Sequence, residues 1–422
     1  MKRKKEHRSL YQIIFGNKNN SPNGYSQLKM LNGYTPVFSQ FGQEAYNSDD
    51  VRAAVDAFAR NAAKLHAKHI RRTPSPDGSS PQVTSVDDGL QYLLGTQPNP
   101  FMDAYTFFYK VATQYLVQNN AFIYIHRDAN GNPDLFWPLN GATTEWLEYQ
   151  GQVYARFSFL GGETATVPYT DLIHLRRFFY KDDMFGETNM NAMEPTLELI
   201  NTQNEGIINA IKSSAFIRGV LKFSMPLKKE DKESRKEQFM SSFLDSSNNN
   251  GVAVVDGSCD YQPINSEPQT TNAAQMKLIS DKVNKYFGVS DAIIKNDYTS
   301  AQWNAFYSSM IEPFSVQMGL QFTAKVFTGR QQGFGNEIIF EANRLQYASN
   351  AEKVQVATLL TNIGAASLDD ILTIFNMPTI GGEEGSRRVQ TLNMVKAGTG
   401  ADQYQGISNN EGGNSSNVEK KE

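Results

Sequence analysis

The 422-residue sequence has almost no cysteine and no long apolar segment. Its single cysteine, Cys259, cannot form a disulfide within the chain or build a cysteine zinc site, and it fits a reducing compartment. The longest apolar runs, such as residues 251–255, have the length of a strand, whereas a bilayer-spanning helix needs about 20 residues. Residues 2–5 are basic, but the apolar stretch at 10–15 is too short for a signal peptide. These absences predict a protein without a membrane span or a secretory signal.

The sequence also lacks an excess of positive charge. It has 40 Lys and Arg residues against 44 Asp and Glu residues, which gives a formal net charge of -4. Affinity for DNA comes largely from Lys and Arg that neutralise phosphates, so a protein whose task is to grip DNA is normally basic. The charge balance therefore argues against a tight, static nucleic-acid-binding protein.

No motif for nucleotide or metal binding is complete. There is no Gly-x-x-x-x-Gly-Lys-Ser/Thr loop, and the glycine-rich residues 381–385 carry acids where such a loop needs lysine, which predicts a plain turn. His66 and His69 are three residues apart on a predicted helix, but no third ligand is evident and neighbouring lysines and arginines would repel a cation. We predict a solvated basic helix end there, no metal site and no cofactor.

One catalytic alternative rests on His174, which would act as a base beside Asp171 in a hydrolase. In a strand these two residues are three apart and face opposite sides, so we favour a packed strand histidine. The acidic doublets of the sequence lie at helix starts or in loops, where carboxylates suit the helix dipole and do not converge on one site. The sequence therefore predicts no catalytic residue, and a hydrolase using His174 and Asp171 is the minor alternative.

The first half of the chain predicts an antiparallel α+β domain. Residues 1–47 are rich in Asn, Gly, Ser and Gln and predict a mobile N-terminal arm. A helix begins at residues 48–50, where capping residues precede apolar positions with a period near 3.6, and a second helix lies at 105–117. Alternation of apolar and polar residues between turn signals then predicts strands. They are residues 121–126, 135–139, 145–149, 151–159 and 171–176.

The second half of the chain predicts helices around a small insert. Helices at 195–212 and 273–287 flank it. The insert itself reads as a strand at 219–223, a charged helix at 228–244 and a second strand at 251–255. A mixed charged helix of this kind is by default a solvated face, and a docking surface is the alternative.

A long helix at 301–327 contains Pro313, which removes the hydrogen bond to the carbonyl of Ser309 and predicts a kink. The remaining predictions are a strand at 337–341, two short helices opened by capping boxes at Ser349 and Ser367, and a disordered tail at 398–422.

Several short blocks of the sequence occur in an order and spacing that resemble a known family. They are Pro98-Asn99-Pro100, residues 119–124 with the Asn130-Gly131 turn, Pro138-Leu139, residues 171–176, Phe287-Gly288-Val289 and Ile311-Glu312-Pro313. Over about residues 48–380 the chain is similar to the portal proteins of tailed double-stranded DNA bacteriophages, in the shorter branch of that family. It departs from the family pattern where Asn119 replaces a usual Gly, where Ser290 replaces a usual Pro, and where residues 367–372 lack the common Asn-Glu-x-Arg.

The resemblance implies an α+β fold with the phage portal architecture. This architecture has an α/β wing, two stem helices, an inserted β-α-β clip, a kinked long helix and a helical crown. The implied segments are the wing at 48–194 with a strand at 337–343, stem helices at 195–218 and 270–289, the clip at 219–265, the tunnel loop at 290–300, the long helix at 301–328 and the crown at 348–380.

The resemblance also implies a function and a set of partners. The family forms dodecameric rings at the unique capsid vertex of the virion, assembled in the host cell cytoplasm, and it is not enzymatic. Double-stranded DNA enters and leaves through the ring without sequence preference. The implied partners are further copies of the chain, DNA, the large terminase ATPase, the major capsid protein or scaffold, and a head-tail connector or adaptor. Another virion adaptor or scaffold protein is the runner-up interpretation.

Two sets of residues are the candidate sites under this resemblance. In the tunnel loop, Lys295 is the expected phosphate contact and Tyr298 a spacer or stacking group. The full DNA-facing set is Lys295, Asn296, Asp297, Tyr298, Thr299 and Ser300. The set expected to dock the terminase or a connector is Lys228, Lys229, Lys232, Arg235 and Lys236. The plain alternative for the loop is an ordinary connector between two helices.

Overall fold

The fold is that of a computed structural model of the chain. It describes residues 14–15, 25–28, 37–39, 45–74, 81–187, 190–214, 219–223, 226, 228–243, 259–263, 273–341, 350–375 and 377–389. The chain divides into two compact units, one formed by Met1–Asp297 with Phe306–Phe340 and the other by Tyr298–Ala305 with Glu341–Glu422. The tail predicted at 398–422 lies outside the described residues.

Three helices open the first unit. Helix α1 (Asp49–Ala62) buries the apolar face that its period near 3.6 predicts. Helices α2 (Gly89–Gly95) and α3 (Ala104–Gln118) begin at Asp88 and Asp103, whose carboxylates each accept a backbone N–H of the first turn. The sequence predicts α1 and α3, and the short helix α2 was missed.

Strands β1 to β10 and β13 form three sheets. Strands β1 to β10 are Ser26–Gln27, Val37–Ser39, His66–Thr73, Gln82–Ser85, Asn120–Arg127, Pro133–Leu139, Thr143–Tyr149, Gln152–Ser158, Thr164–Pro168 and Leu172–Arg176. In one sheet β7 pairs with β8 and β8 with β9, while β1 and β2 both pair with β7. A second sheet has the antiparallel order β10-β5-β6. Strand β13 (Asn336–Glu341) joins β3 and β4 in the third sheet, so a distant segment completes this domain.

An aromatic core connects the first two sheets. Phe122 on β5, Trp146 on β7 and Phe157 on β8 are buried. The ring centroid of Phe122 lies 5.3 Å from that of Phe157 and 6.4 Å from that of Trp146. Burying a side chain of this size contributes about 1.5–3 kcal/mol, so the cluster stabilises the packing of the two sheets against each other.

Part of the N-terminal arm is built into this domain. Strand β1 pairs with residues 147–148, and β2 pairs with residues 143–145. The Phe15 ring lies 5.4 Å from the Tyr124 ring, and Leu28 packs on the aromatic core. The prediction of a mobile arm over 1–47 does not hold for these positions. The polar composition of the arm gives no strand signal, although two short segments of it pair with the edge of β7.

Residues 66–73 form strand β3 and not the end of a helix, because α1 stops at Ala62. His66 is exposed and His69 is buried, and the burial of residues 66–69 alternates with the period of a strand. The prediction of a basic helix end at these two histidines is therefore wrong. The sequence of residues 66–69 alternates as a strand does, but the prediction continued the helix of residues 51–65 through it.

Two long helices flank the insert. Helix α4 (Met190–Ser214) begins five residues before the predicted start at Pro195, and helix α6 (Ala273–Phe287) has the predicted bounds. The two helices contact each other, and they bury Ile200 and Ile279.

The insert consists of β11 (Gly219–Phe223), α5 (Lys229–Phe243) and β12 (Cys259–Pro263). The two strands are antiparallel, with Gly219 opposite Pro263. The prediction placed the second strand at 251–255, which lies outside the described residues. Strand β12, which pairs with β11, follows that segment in the chain, and its sequence is less apolar than residues 251–255.

After α6 the chain continues with a helical turn, α7 (Asp291–Ile294), and then with a long interrupted helix. Helix α8 (Ser300–Phe306) passes into a π-helical turn (Tyr307–Ile311), which is followed by α9 (Glu312–Val326) and α10 (Gly329–Gly333). Pro313 is in the first turn of α9, directly after the π-helical turn. The helix is thus irregular at the place where the sequence predicts a kink. The kink itself stays a prediction.

Helices of the second unit include α11 (Asn350–Asn362), α12 (Leu368–Ile374) and α13 (Gly382–Gly385). The capping box predicted for α12 is confirmed. The Asp370 N–H donates to Oγ of Ser367 at 3.2 Å, and the Ser367 N–H donates to the Asp370 carboxylate at 2.9 Å. The box predicted at Ser349 lies outside the described residues.

Candidate nucleic-acid interface and docking segment

The predicted tunnel loop at 290–300 is ordered by its own hydrogen bonds. Its first part is α7, which begins after Ser290. Asn296 then adopts a left-handed conformation with φ 58°, and the Asp297 N–H donates to the carbonyl of Ala292 at 2.9 Å. Asparagine tolerates this conformation better than most residues, so Asn296 ends the turn.

Lys295, the expected phosphate contact, has a carboxylate partner within the chain. Its Nζ lies 2.8 Å from Oδ2 of Asp291, one helical turn earlier, and both side chains are exposed. The hydrogen bond to Asp291 and the charge of that carboxylate raise the pKa of Lys295, so its ammonium group stays charged. With Asp297, the segment holds one positive and two negative side chains. A phosphate that approaches Lys295 therefore also meets negative charge, which opposes tight binding.

Helix α1 holds this turn in place. Ile293 is buried, and Nη2 of Arg60 donates to the backbone carbonyls of Ile293 and Ile294 at 3.4 and 3.2 Å. The Arg60 guanidinium also lies 3.5 Å from Asp56, which accepts a hydrogen bond from the Tyr109 hydroxyl at 2.8 Å. A cation at the carboxyl end of a helix satisfies carbonyls that have no partner in the helix. Arg60 thereby fixes where the turn presents its charges.

The last three residues of the predicted loop belong to the second unit. Tyr298 is 36% exposed, and its ring stacks on that of Trp303 with centroids 5.3 Å apart. The Thr299 N–H donates to Oε1 of Gln302 at 2.9 Å, and the Gln302 N–H donates back to Oγ1 of Thr299 at 3.3 Å. This reciprocal cap opens the helix at Ser300. Thr299 thus has a structural role, and Tyr298 keeps an exposed edge.

The residues expected to dock a motor or connector lie at helix α5 of the insert. Lys228 precedes the helix, and Lys229, Lys232 and Arg235 lie exposed along it. Lys236 is on the same helix, and its side chain is not among those described. The described basic residues are therefore accessible together on one element.

His174 and Asp171 do not form a catalytic pair. His174 is buried on β10, where Nε2 lies 3.0 Å from Oδ1 of Asn120 and the ring stacks on Phe122. Burial lowers the pKa of this imidazole well below its usual range. Asp171 instead accepts a hydrogen bond from Nε of Arg127 at 2.8 Å. The prediction of a packed strand histidine is confirmed.

His69 also has a structural position. Its Nδ1 lies 2.9 Å from the Asp88 carboxylate and its Nε2 lies 3.1 Å from Oδ1 of Asn336, which ties β3 to α2 and β13. Over the described residues, no group of three or more His, Cys, Asp and Glu side chains is placed to hold a metal ion. No helix in the described part of the chain is long and apolar enough to span a membrane.

Sequence reasoning located the segment at 290–300 but missed the partner of Lys295. Asp291 and Lys295 stand four residues apart, which is the spacing of helical ion pairs, so recognising α7 as a helical turn would have revealed the pair. The contact of Arg60 with Ile293 had no comparable signal, because 233 positions separate the two residues.

The fold defines the class of this protein. An α+β domain is followed by two contacting helices with a β-α-β insert between them, and then by a long helix interrupted before a proline. This is the subunit architecture of viral portals. The family model described as "Phage portal protein" matches residues 49–376, and the chain belongs to the phage portal protein family.

Solved structures of gene transfer agent (GTA) particles have a similar fold. The neck of an empty GTA particle, computed with C6 symmetry, matches with a TM-score of 0.56 at 16% identity over 80% of this chain and 92% of that chain. The neck of a native GTA particle, computed with C12 symmetry, matches with a TM-score of 0.56 at 15% identity over 82% and 96%. The virion of a native GTA particle gives 0.54 at 16% identity over 79% and 91%. No curated protein matches the chain.

Proposed function

We propose that this chain forms a ring of twelve copies at one vertex of a viral capsid, through which double-stranded DNA enters during packaging and leaves on infection. Membership of the phage portal protein family, over residues 49–376, carries the proposal. The similarity in fold to a neck computed with C12 symmetry supports the number of copies. The ring assembles in the host cytoplasm and becomes part of the virion.

The segment 290–300 is the part of each copy that faces DNA in this proposal. Its charges favour sliding over holding, because Lys295 is paired with Asp291 and Asp297 lies close by in the sequence. A conduit has to let a polyanion pass, and unpaired lysines would bind phosphates with an affinity that slows it. The net charge of -4 for the whole chain agrees with this requirement.

The insert between α4 and α6 is the docking part of the proposed ring. Its helix α5 is exposed and presents charged groups that a partner of opposite charge can contact. The proposed partners are the large terminase ATPase during packaging and a head-tail connector or adaptor afterwards. The major capsid protein or scaffold contacts the ring elsewhere. The terminase supplies the energy for packaging, so the chain itself performs no catalysis.

Electron microscopy and native mass spectrometry of the purified full-length chain test the ring. We expect closed rings of twelve copies with an axial opening that admits duplex DNA. A chain that stays monomeric or dimeric at high concentration contradicts the proposal. A ring without such an opening favours a virion adaptor or scaffold protein. ATP turnover by the purified chain alone contradicts the conduit role.

A further inference from the structure

Helix α5 carries opposite charges on two of its sides. Residues three and four positions apart lie on the same face of an α-helix, and both signs of charge on α5 follow this spacing. The basic stripe consists of Lys229, Lys232 and Arg235, and the acidic stripe consists of Glu230, Glu233 and Glu237. All six side chains are exposed. The charges are therefore grouped by sign around the helix, and the two groups adjoin where Lys229 stands four residues before Glu233 and Asp231 four residues before Arg235.

The geometry of a helix gives the separation. At 3.6 residues per turn, the centres of the two stripes lie about 130° apart around the helix axis. Lys236 falls on the side of the basic stripe by its position, and Asp231 is the one acid in 229–238 outside the acidic stripe. The same residues, 229–238, include no apolar side chain. Charge is thus the main means by which this part of the helix can contact a neighbour.

We propose that, in the assembled ring, the basic stripe of each copy contacts the acidic stripe of the next copy. This inference rests on the proposed ring. A cyclic ring of more than two copies is built from head-to-tail contacts, in which two different surfaces of the same chain meet. Helix α5 offers two such surfaces with complementary charge. The stripes also disfavour wrong pairings, because like stripes repel each other.

A second copy uses both stripes at once, whereas a motor or connector protein of one charge uses only one of them. An acidic partner would use the basic stripe and leave the acidic stripe without a role, and a basic partner would do the reverse. In this arrangement Lys229, Lys232 and Arg235 first contact the neighbouring copy, and a motor docks on the ring of inserts that these contacts order. Glu233 and Arg235 also have partners within their own chain. Contacts between exposed charges are weak and exchangeable, so such partners do not prevent the contact between copies.

Charge reversal in the full-length chain tests the contact. The all-acidic variant combines K229E, K232E and R235E, and the all-basic variant combines E230K, E233K and E237K. An exchange variant contains all six changes and keeps the net charge of the natural chain. Native mass spectrometry and electron microscopy measure the concentration at which rings form, and circular dichroism checks that each variant keeps its helix content.

We expect each single-stripe variant alone to need a protein concentration at least about ten times higher to form rings, because every copy then repels its neighbour. The exchange variant is expected to assemble like the natural chain. An equal mixture of the all-acidic and all-basic variants is expected to assemble with the two chains alternating, so only rings with an even number of copies form. Raising the salt concentration should weaken assembly of the natural chain, since exposed charges are screened.

Rings of a single-stripe variant that form as readily as those of the natural chain overturn the inference, and so does a mixture that assembles no better than its components. Normal rings of the all-acidic variant that fail to bind the motor would assign the basic stripe to docking instead. A natural chain that never forms rings contradicts the ring proposal itself, so the two failures are distinguishable.

Discussion

At the scale of single residues, Asp291 is the carboxylate with which DNA competes for Lys295 in the proposed conduit. The two side chains are 2.8 Å apart and both are exposed, so a phosphate competes with a carboxylate that is already in place. We expect Asp291→Asn to make the proposed ring retain duplex DNA more strongly and with a steeper dependence on salt, because each freed lysine adds about one unit to the salt slope. Retention of labelled duplex DNA on immobilised rings, measured over a range of salt concentrations, checks this.

The matched control for that change is Glu163→Gln, which removes the same charge from an exposed position between β8 and β9. It should leave DNA retention unchanged, because the expected effect depends on the place of the charge and not on the total. Lys295→Gln should not increase retention. Equal retention by Asp291→Asn and the natural chain would remove Lys295 from the DNA-facing set.

We expect buried His174 to make the stability of the fold depend on pH. Burial lowers the pKa of its imidazole in the folded chain, and like charge on Arg176 and Lys325 adds to the shift. A histidine in the unfolded chain has a pKa of about 6.5. The unfolded chain therefore binds the proton first. This contribution to stability is complete above about pH 6.5 and is lost as the pH falls, by up to about 1.4 kcal/mol per pH unit.

We expect His174→Gln to unfold more easily at pH 7.5 and to lose less further stability between pH 7.5 and 5 than the natural chain does. Denaturant unfolding at both pH values measures the difference. His66→Gln, which changes an exposed histidine on β3, is the control and should leave the pH dependence as it is. Equal losses of stability between pH 7.5 and 5 in the natural chain and in His174→Gln contradict the prediction.

Gly335 fits its place only without a side chain. Its φ is 82°, and a Cβ atom there would lie 1.9 Å from the carbonyl oxygen of Arg72 on β3. We expect Gly335→Ala to lower the free energy of unfolding by at least about 2 kcal/mol, from backbone strain and displacement of the strand. Gly333→Ala, two residues earlier and with no atom near the added Cβ, should be close to neutral. Chemical denaturation of the two variants compares them, and equal stability would show that the strand shifts at no cost.

Asn119 shows how a departure from a family pattern is explained by backbone conformation. The resemblance places a Gly at this position, and here the residue has φ 54° and is buried at the end of α3. Asparagine is the residue besides glycine that most readily takes a left-handed conformation, so the replacement keeps the local structure. The substitution thus preserves the turn from α3 into β5.

At the scale of elements, the sequence predicts a helix or strand correctly where both its periodic pattern and its end signals lie in neighbouring residues. Helix α6 has the predicted bounds because apolar residues recur on one face and Gly288 follows as a stop. Strand β3 was predicted as the end of a helix, because the helical period of α1 runs into it without a break. Strand β12 was not predicted, because the apolar run at 251–255 before it is the stronger strand signal. The pairing of β13 with β3 joins residues far apart in the chain, so its partner could not be found from local pattern alone.

The π-helical turn at Tyr307–Ile311 is expected to depend on Pro313. Proline has no N–H, so the carbonyl of Ser309 has no donor four residues ahead. We expect Pro313→Ala to supply that donor and to draw the turn toward a regular α-helix, which slows amide hydrogen exchange in this segment. Hydrogen exchange followed by mass spectrometry measures the change. Ser309→Ala keeps the proline and should show no such slowing, and unchanged exchange in Pro313→Ala would mean that packing alone maintains the turn.

At the scale of the whole molecule, the insert leaves and rejoins the rest of the chain at one place. Gly219 and Pro263 are opposite each other in the β11–β12 pair, so the chain enters and leaves the insert at neighbouring points. Opposed Cα atoms in such a pair are about 5 Å apart, a distance that a few residues can span. The domain and the helices α4 and α6 therefore do not need the insert to bring their ends together.

We expect replacement of residues 219–263 by a short Gly-Ser linker to change the free energy of unfolding of the α+β domain by less than about 1 kcal/mol, since the two described strands of the insert pair with each other. The same change should abolish binding to the large terminase, because the proposed docking part is gone. Denaturant unfolding measures the first effect, and co-purification with the terminase measures the second. Loss of the folded domain would show that the insert is part of its structure. Terminase binding without the insert would place the motor on another surface of the ring.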